Sequence, residues 1–142
     1  MQSKTFFSKK GLSLEIKDNK YEEEILVVNV LDQEDFDDAH IKNSILVTMD
    51  ELPVFLSTLS KSTILIFYCA NYLCTSSDEA AISAIEDHFS NVYVYKGGMA
   101  DWYQLSKEND EYKYDGPAVK NYLNIIDVNP SEQEGINGVA LH

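Results

Sequence analysis

A chain of 142 residues is long enough for one domain with its own core, and its 44% hydrophobic residues argue against intrinsic disorder. Its 24 acidic and 11 basic residues give a net charge of −13, which argues against nucleic acid and anionic membrane as partners. Two cysteines are too few for a secreted scaffold held by disulfides. No apolar run approaches the roughly 20 residues of a membrane helix, and the amino terminus lacks the apolar stretch of a signal peptide. We therefore expect a cytoplasmic protein.

Five strand-like runs alternate with helical patterns along the chain. The strand-like runs lie at residues 12–16, 25–30, 45–48, 63–69 and 92–95. The helical patterns lie at residues 34–39, 49–59 and 76–89, and from Gly98 through Leu105. Strands that alternate with helices through short connections predict an α/β fold. Its central sheet is expected to be mostly parallel, five-stranded and covered by helices on both faces.

The helical pattern at residues 76–89 is the clearest of the four. Apolar residues recur there at helical spacing, at Ala81, Ile82, Ile85 and Phe89. Ser76 and Glu79 match a capping box, which predicts that the helix begins at this point.

The character of the chain changes after Tyr114. Asp115, Gly116 and Pro117 form a turn signal, and few large apolar residues follow. We therefore assign residues 1–114 to one domain, with its core at about 10–108, and residues 115–142 to a C-terminal extension. Residues 122–128 are compatible with a helical turn or an edge strand. The last dozen residues are expected to be disordered or to depend on a partner.

The loop that begins at Cys69 is the candidate functional site. Ligands of parallel sheets bind at the carboxyl ends of the strands, and the apolar central strand ends at Cys69. The loop leads directly into the helix at residues 76–89. Its backbone N–H groups and the positive helix end favour a thiolate, so Cys69 should be more nucleophilic than a free cysteine. Asp78 and Glu79, in the first helical turn, oppose this effect in part.

Four segments of the chain resemble the motifs of rhodanese-like domains, in the family's order and at its spacing. They are residues 26–36 (LVVNVLDQEDF), 40–45 (HIKNSI), 64–69 (ILIFYC) and 92–102 (VYVYKGGMADW). The resemblance spans about residues 10–108. A single Tyr-Cys or Gly-Gly pair would be weak, but four linked motifs identify the chain as similar to this family.

The resemblance implies a sulfurtransferase or persulfide carrier. Cys69 would take a sulfane sulfur from a donor, hold it as a persulfide and pass it to a thiophilic acceptor. The backbone of the loop would cradle the persulfide, at Ala70, Asn71, Tyr72, Leu73, Cys74 and Thr75. The donor and acceptor would be small-molecule or protein persulfides, and neither a cofactor nor a metal is expected.

The chain departs from the family pattern first at a buried charge pair. The usual Asp-Val-Arg is replaced by Asn29-Val30-Leu31. A buried aspartate without its arginine would cost several kcal/mol, so replacing both charges together removes that problem. We interpret this change as structural.

The chain departs from the family pattern again in the loop, where Cys74-Thr75 stands in place of the common Arg-Ser or Arg-Thr. All basic residues of the chain are lysines, and arginine is the side chain that grips an oxyanion through two parallel hydrogen bonds. Its absence weakens the case for thiosulfate as donor. It also counts against the related arsenate-reductase and phosphatase activities.

Cys74 is open to two interpretations. It is either a resolving thiol that closes a disulfide with Cys69, or a residue that packs under the loop. The alternative to a sulfurtransferase is accordingly a non-catalytic rhodanese-like module that senses oxidants through the two cysteines or binds a partner. In that case the C-terminal extension is a candidate surface for a protein partner.

Overall fold

The computed structural model describes residues 24–125 and the backbone of residues 140–141. The strands in these residues are Ile25–Asn29 (β1), His40–Ile41 (β2), Ile45–Leu46 (β3), Ile64–Tyr68 (β4), Asn91–Val94 (β5), Tyr114–Asp115 (β6) and Ala140–Leu141 (β7). The α-helices are Gln33–Asp38 (α1), Leu52–Ser57 (α2), Ser76–Glu86 (α3) and Gly98–Ser106 (α4), and a 3₁₀ helix spans Asn121–Asn124. No helix in these residues is long and apolar enough to span a bilayer.

Five of the described strands form one parallel sheet in the order β3-β1-β4-β5-β7. β1 and β4 pair along their whole length, from Ile25 opposite Ile64 to Asn29 opposite Tyr68. Every residue of β4 is buried, as expected for a central strand that is covered on both faces. The predicted α/β fold with a mostly parallel central sheet is thus confirmed. β2 and β6 form a separate antiparallel pair.

The predicted strands correspond to the described sheet with one difference at its edge. β1, β3, β4 and β5 match four predicted strands to within two residues at either end. The strand predicted at residues 12–16 lies outside the described residues. The fifth strand of the described sheet is instead β7, from the C-terminal extension, which pairs with β5. Local patterns cannot show which distant segment completes a sheet edge.

The sheet separates two clusters of buried side chains, because successive residues of a strand point to opposite faces. Leu65, Phe67 and Cys69 pack with α2 and α3 on one face, which we call the cysteine side. On the opposite face, which we call the tyrosine side, Tyr68 packs with α4 and the 3₁₀ helix. The large aromatic residues of the tyrosine side are Tyr68, Tyr93, Tyr95, Trp102 and Tyr112. The predicted helices on both faces are confirmed.

The predicted helix at residues 76–89 corresponds to α3, and small side chains line its inward face. The residues buried against the sheet are Ser77, Ala80, Ala81 and Ala84. Ile82 and Ile85, two of the apolar residues at helical spacing, are 52% and 37% exposed. The small side chains face the sheet and the two isoleucines lie outside the contact.

The start of α3 also differs from the predicted capping box. The residue that caps the helix is Thr75, and no side chain caps its amino terminus through a hydrogen bond. Ser76 is already helical, so the expected pairing of Ser76 with Glu79 was one residue out of register. The Thr75 hydroxyl donates to the Glu79 carboxylate at 3.3 Å instead.

The first part of the C-terminal extension packs onto the domain through Asp38. The Asp38 carboxylate accepts hydrogen bonds from the backbone N–H groups of Val119, at 3.1 Å, and Lys120, at 3.2 Å. The Asp38 carbonyl accepts a third from Ala118, at 2.7 Å. Leu123, in the 3₁₀ helix, is 1% exposed and belongs to the tyrosine side. The extension therefore contributes Leu123 to the core.

Candidate active site

Cys69 follows the last residue of β4 and lies on the cysteine side. Its side chain is 1% exposed. Its position follows from the strand alternation: Tyr68 points to one face of the sheet, so the next residue points to the other. The predicted nucleophile therefore lies at the carboxyl end of the central strand and faces α3.

The amino terminus of α4 holds the start of the loop. The Cys69 carbonyl accepts a hydrogen bond from the Met99 N–H at 2.9 Å, and the Ala70 carbonyl accepts one from the Ala100 N–H at 2.9 Å. Gly98 makes this approach possible because a Cβ there would lie 2.6 Å from the Cys69 carbonyl oxygen. Gly98 also has φ +68°, a conformation that side chains disfavour. The N–H groups of this helix end thus bind backbone carbonyls.

Asn71 folds the loop back on itself. Its side-chain oxygen accepts a hydrogen bond from the Leu73 N–H at 3.0 Å, and its carbonyl accepts one from the Cys74 N–H at 3.0 Å. The asparagine is buried, and the two hydrogen bonds occupy its two oxygen atoms, as is usual for buried polar groups. These two bonds turn the chain so that Cys74 returns toward Cys69.

Cys74 is joined to Cys69 by a disulfide. The two Cα atoms lie 6.4 Å apart, within the usual range for a disulfide. Cys74 also packs against the buried cluster of the cysteine side. The loop therefore brings the two predicted thiols together in a covalent bond. Leu73, between them in the loop, is 64% exposed.

The other predicted loop residues divide into two groups. The N–H groups of Leu73 and Cys74 are occupied by Asn71. The N–H groups without a hydrogen bond within residues 24–125 are those of Ala70, Asn71, Tyr72 and Thr75. If Cys69 were reduced and the loop kept this conformation, a persulfide cradle would draw on this second group of N–H groups and on the first turn of α3.

Ser77 contributes a hydroxyl to the cysteine pair. Its Oγ lies 3.4 Å from the Cys69 sulfur, within hydrogen-bonding distance for sulfur, and the residue is 1% exposed. A hydroxyl can donate to a thiolate, and the amino terminus of a helix adds a positive partial charge at the same place. Both effects stabilise a negative charge on Cys69.

Lys96 lies at the rim of the loop. Its ammonium group forms an ion pair with the Asp78 carboxylate and donates a hydrogen bond to the Cys74 carbonyl at 2.9 Å. The lysine and aspartate side chains are 17% and 20% exposed. The pair ties the strand end at β5 to α3 and to the second cysteine.

Tyr68 is a structural neighbour of the site. Its hydroxyl accepts a hydrogen bond from the Ile41 N–H at 2.9 Å and lies 2.8 Å from the Ser44 hydroxyl. Burial raises the pKa of Tyr68 to about 12, an effect that the hydrogen bond with Ser44 reduces in part. Tyr68 therefore stays neutral at physiological pH and serves no acid–base role at Cys69.

Comparison with known proteins agrees with this geometry. The sequence profile of the rhodanese-like domain matches residues 12–105, about two thirds of the chain. The chain belongs to the rhodanese-like domain family. A curated relative, the thiosulfate sulfurtransferase GlpE of Coxiella burnetii, is 29% identical over 79 residues. That match covers 56% of this chain and 72% of the relative.

Solved structures show the same rhodanese-like fold. The BH2092 protein of Bacillus halodurans superposes with a TM-score of 0.65 at 25% identity, covering 80% of this chain and 78% of that one. A yeast protein tyrosine phosphatase of the rhodanese family superposes with a TM-score of 0.57 at 16% identity, covering 78% of this chain and 91% of that one. At 16% identity the likeness shows the fold alone.

The other departure of this rhodanese-like domain from the family pattern lies at the end of β1. Asn29 is fully buried, and its side-chain oxygen accepts a hydrogen bond from the Leu31 N–H at 2.8 Å. An amide thus occupies the position where the family pattern has an aspartate. Because Asn29 is uncharged, no arginine is needed to balance it. Leu31, at the position of that arginine, packs against the cysteine side.

Ser77 and Lys96 were missing from the predicted site. Ser77 lies beyond the predicted loop, but it is the first residue on the inward face of α3, and that register could have indicated it. Lys96 is remote from Cys69 in the sequence. Lys96 follows β5, the neighbour of β4, and neighbouring parallel strands end at the same edge of a sheet. This position could have indicated that Lys96 lies near the site.

Proposed function

We propose that the protein is a sulfurtransferase in which Cys69 carries the transferred sulfur as a persulfide. The observation that supports this most directly is the position of the Cys69 sulfur. It lies at the carboxyl end of the central strand, 3.4 Å from the Ser77 hydroxyl and beside the first turn of α3. The Ser77 hydroxyl and the helix amino terminus favour the reactive thiolate of reduced Cys69, against the opposing effect of its apolar surroundings.

The transfer consists of two displacements at sulfur. The Cys69 thiolate attacks the terminal sulfur of a donor R–S–SH, the S–S bond of the donor breaks, and the thiolate RS⁻ leaves. RS⁻ accepts the proton of the new Cys69 persulfide, which is left as an anion. A nucleophilic acceptor then attacks the terminal sulfur, and breaking the S–S bond regenerates the Cys69 thiolate.

The disulfide between Cys69 and Cys74 must be reduced before this cycle begins. Two thiols of a reductant supply two electrons and two protons and are themselves oxidised to a disulfide. Since the Cys69 side chain is only 1% exposed in the bonded state, the oxidised protein is a resting form. If no acceptor is present, the Cys74 thiolate would attack the Cys69 sulfur of the persulfide, so that the disulfide re-forms and hydrosulfide leaves.

A transfer assay tests the proposal. Protein reduced with dithiothreitol and freed of the reductant is mixed with cyanide and, in turn, with several sulfane-sulfur donors, and thiocyanate is measured. We expect turnover by the wild type, near-complete loss in Cys69→Ser, and retention in the matched variant Cys74→Ser. If no donor is turned over, and cyanolysable sulfur never accumulates on Cys69, the protein is not a sulfurtransferase.

The ionisation of Cys69 gives a second test. Pseudo-first-order alkylation of reduced Cys74→Ser across a pH series reports the Cys69 pKa. We expect a value below the roughly 8.5 of free cysteine. Ser77→Ala should raise it, whereas the matched variant Ser76→Ala should leave it unchanged. A wild-type value near that of free cysteine would contradict the proposed activation.

The disulfide favours a second candidate function, a redox-sensing module. Peroxide would oxidise the Cys69 thiolate to a sulfenic acid, and the Cys74 thiolate would then attack that sulfur and displace hydroxide. In this role the C-terminal extension is the proposed binding surface for a protein partner. Mass spectrometry after mild peroxide distinguishes the two functions in combination with the transfer assay. A rapid Cys69–Cys74 disulfide without any transfer activity would support the sensor.

A further inference from the structure

The ion pair between Lys96 and Asp78 determines the charge next to the cysteine loop. Lys96 is the lysine that touches the loop within residues 24–125, through the Cys74 carbonyl at 2.9 Å. Other lysines are engaged away from the loop: Lys61 with Asp87, and Lys120 with Glu34 and Asp35. Because the chain has no arginine, the ammonium group of Lys96 is the local cation available to an anionic substrate.

That cation is already neutralised. One carboxylate oxygen of Asp78 contacts the Lys96 ammonium group, and both side chains are about four-fifths buried. The other oxygen, Oδ1, is buried without a hydrogen-bond partner among the described residues. The aspartate therefore cancels the lysine charge, and its second oxygen is buried and takes no hydrogen bond from the described residues. In such a partly desolvated place a charge acts more strongly than in water.

We propose that Asp78 is a specificity-determining residue that, by neutralising Lys96, disfavours the thiosulfate dianion and favours alkyl persulfides as sulfur donors at Cys69. This inference rests on the proposed sulfurtransferase activity. An alkyl persulfide carries at most one negative charge and leaves as a single thiolate. Thiosulfate brings two negative charges to a site that offers it no free cation, in a protein whose net charge is −13.

Both donors undergo the same kind of displacement at sulfur. The change in their kcat/KM ratio from one variant to another therefore tests the effect of the Asp78 charge. With thiosulfate, the Cys69 thiolate attacks the outer sulfur, the S–S bond breaks, and sulfite leaves with the electron pair. With an alkyl persulfide, the attack is on the terminal sulfur and an alkyl thiolate leaves. The Cys69 persulfide is the same in both cases. The donors differ in size and leaving group as well as in charge, and comparing the ratio of the two donors between variants cancels those intrinsic differences.

The decisive variant is Asp78→Asn, which removes the carboxylate charge while keeping the size of the side chain. We expect the ratio of kcat/KM for thiosulfate to kcat/KM for an otherwise uncharged alkyl persulfide to rise about tenfold or more. Added salt should reduce this gain because mobile ions screen a partly exposed charge. The matched control is Glu79→Gln, which removes one exposed negative charge from the same helical turn without touching Lys96. It should leave the ratio unchanged.

The double variant Asp78→Asn/Lys96→Gln tests whether the freed lysine is responsible. It should return the ratio to the wild-type value, and thermal unfolding of each variant shows whether it is folded. An equal increase in Asp78→Asn and Glu79→Gln would overturn the proposal, since the effect would then be one of overall charge. An unchanged ratio in a folded Asp78→Asn protein would overturn it as well.

A binding measurement separates this inference from the proposed function. Thiosulfate is titrated calorimetrically into Cys69→Ser and Cys69→Ser/Asp78→Asn, neither of which requires turnover. Tighter binding to the second variant supports the charge argument even if the wild type proves inactive with every donor. Equal affinity overturns the charge argument even if the wild type is an active sulfurtransferase.

Discussion

The two sides of the sheet use polar groups in opposite ways. On the tyrosine side the polar groups of two large aromatic residues form hydrogen bonds: the Tyr95 hydroxyl donates to Asp101, and the Trp102 indole N–H donates to the Lys113 carbonyl at 2.7 Å. On the cysteine side an aliphatic and alanine-rich cluster surrounds two reactive sulfurs and the Ser77 hydroxyl. The sheet thus separates a side that stabilises the fold from a side that can carry out chemistry.

The adjacent residues Tyr68 and Cys69 point to opposite sides of the sheet. Tyr68 is bonded to Ile41 and Ser44 on the tyrosine side, and Cys69 faces α3 on the other. Fixing the tyrosine therefore also fixes the backbone from which the nucleophile projects. The comparison predicts that damage on the tyrosine side lowers stability, whereas damage on the cysteine side also lowers sulfur transfer.

The largest effect is expected from two glycine substitutions, one beside the cysteine loop and one beside the attachment of the extension. In Gly98→Ala the new methyl group would collide with the Cys69 carbonyl, and in Gly116→Ala it would collide with the Asp38 carbonyl. Both glycines have positive φ, so each variant should lose about 2–4 kcal/mol in the free energy of unfolding. Urea denaturation measures this.

Sulfur transfer per folded molecule should distinguish the two variants. Gly98→Ala displaces the cysteine loop and should lose transfer, whereas Gly116→Ala disturbs the attachment of the extension and should retain it. If both variants lost transfer equally, the loss would not depend on contact with the cysteine loop.

The next effect concerns Tyr68→Phe. Removing the hydroxyl leaves the Ile41 N–H and the Ser44 hydroxyl without this partner, which should lower the free energy of unfolding by about 1–3 kcal/mol at pH 7. Equilibrium urea denaturation measures the loss. Transfer activity of the folded variant should persist, because the hydroxyl points away from Cys69.

Tyr68 also predicts a dependence on alkaline pH. Burial raises its pKa from 10.0 to about 12, so the folded state keeps the proton to higher pH than the unfolded chain does. This contribution, about 2–3 kcal/mol, is fully present below pH 10 and is lost as the pH rises toward 12. The free energies of unfolding measured at pH 9 and pH 11 should therefore differ less in Tyr68→Phe than in the wild type. An identical pH dependence in both proteins would contradict the assignment.

A smaller stability effect is expected for the cysteine pair. Closing so short a loop restricts the unfolded chain little, so oxidised wild type should exceed oxidised Cys74→Ser by about 1–2 kcal/mol. With dithiothreitol the difference should largely disappear. After a peroxide pulse followed by reductant, wild type should recover its transfer activity and Cys74→Ser should not, because Cys69 is overoxidised without its partner. Equal recovery would remove the resolving role of Cys74.

The smallest effect is expected on the outer face of α3. Ile82→Gln should change the free energy of unfolding by no more than about 0.5 kcal/mol, because the isoleucine is half exposed. Ala81→Leu is the contrasting variant: Ala81 is fully buried against the sheet, and overpacking there should cost about 1–3 kcal/mol. Thermal and urea denaturation of the pair test which face of α3 packs inward.

Much of the fold could be predicted from local patterns. The dense apolar runs at residues 25–30 and 63–69 are typical of strands buried on both faces, and they became β1 and β4, adjacent at the centre of the sheet. Spacing predicted the helix α3 but not the face of it that packs inward. Ile82 and Ile85 fit the helical spacing, but it is the alanines of α3 that pack against the sheet. Periodicity identifies a helix more reliably than it identifies which of two neighbouring stripes faces inward.

The sequence by itself determined the family, the α/β fold and the position of Cys69 at the end of the central strand. These depend on strand periodicity, loop length and motifs that lie close together in the chain. Only the tertiary structure decided that Ser77 and Cys74 meet Cys69, and that Asp78 holds Lys96. Those contacts depend on how helix α3 turns against the sheet and on which strand lies beside β4. The position of the loop was predictable from the sequence. The pairing of Cys69 with Cys74, and of Lys96 with Asp78, depends on tertiary packing.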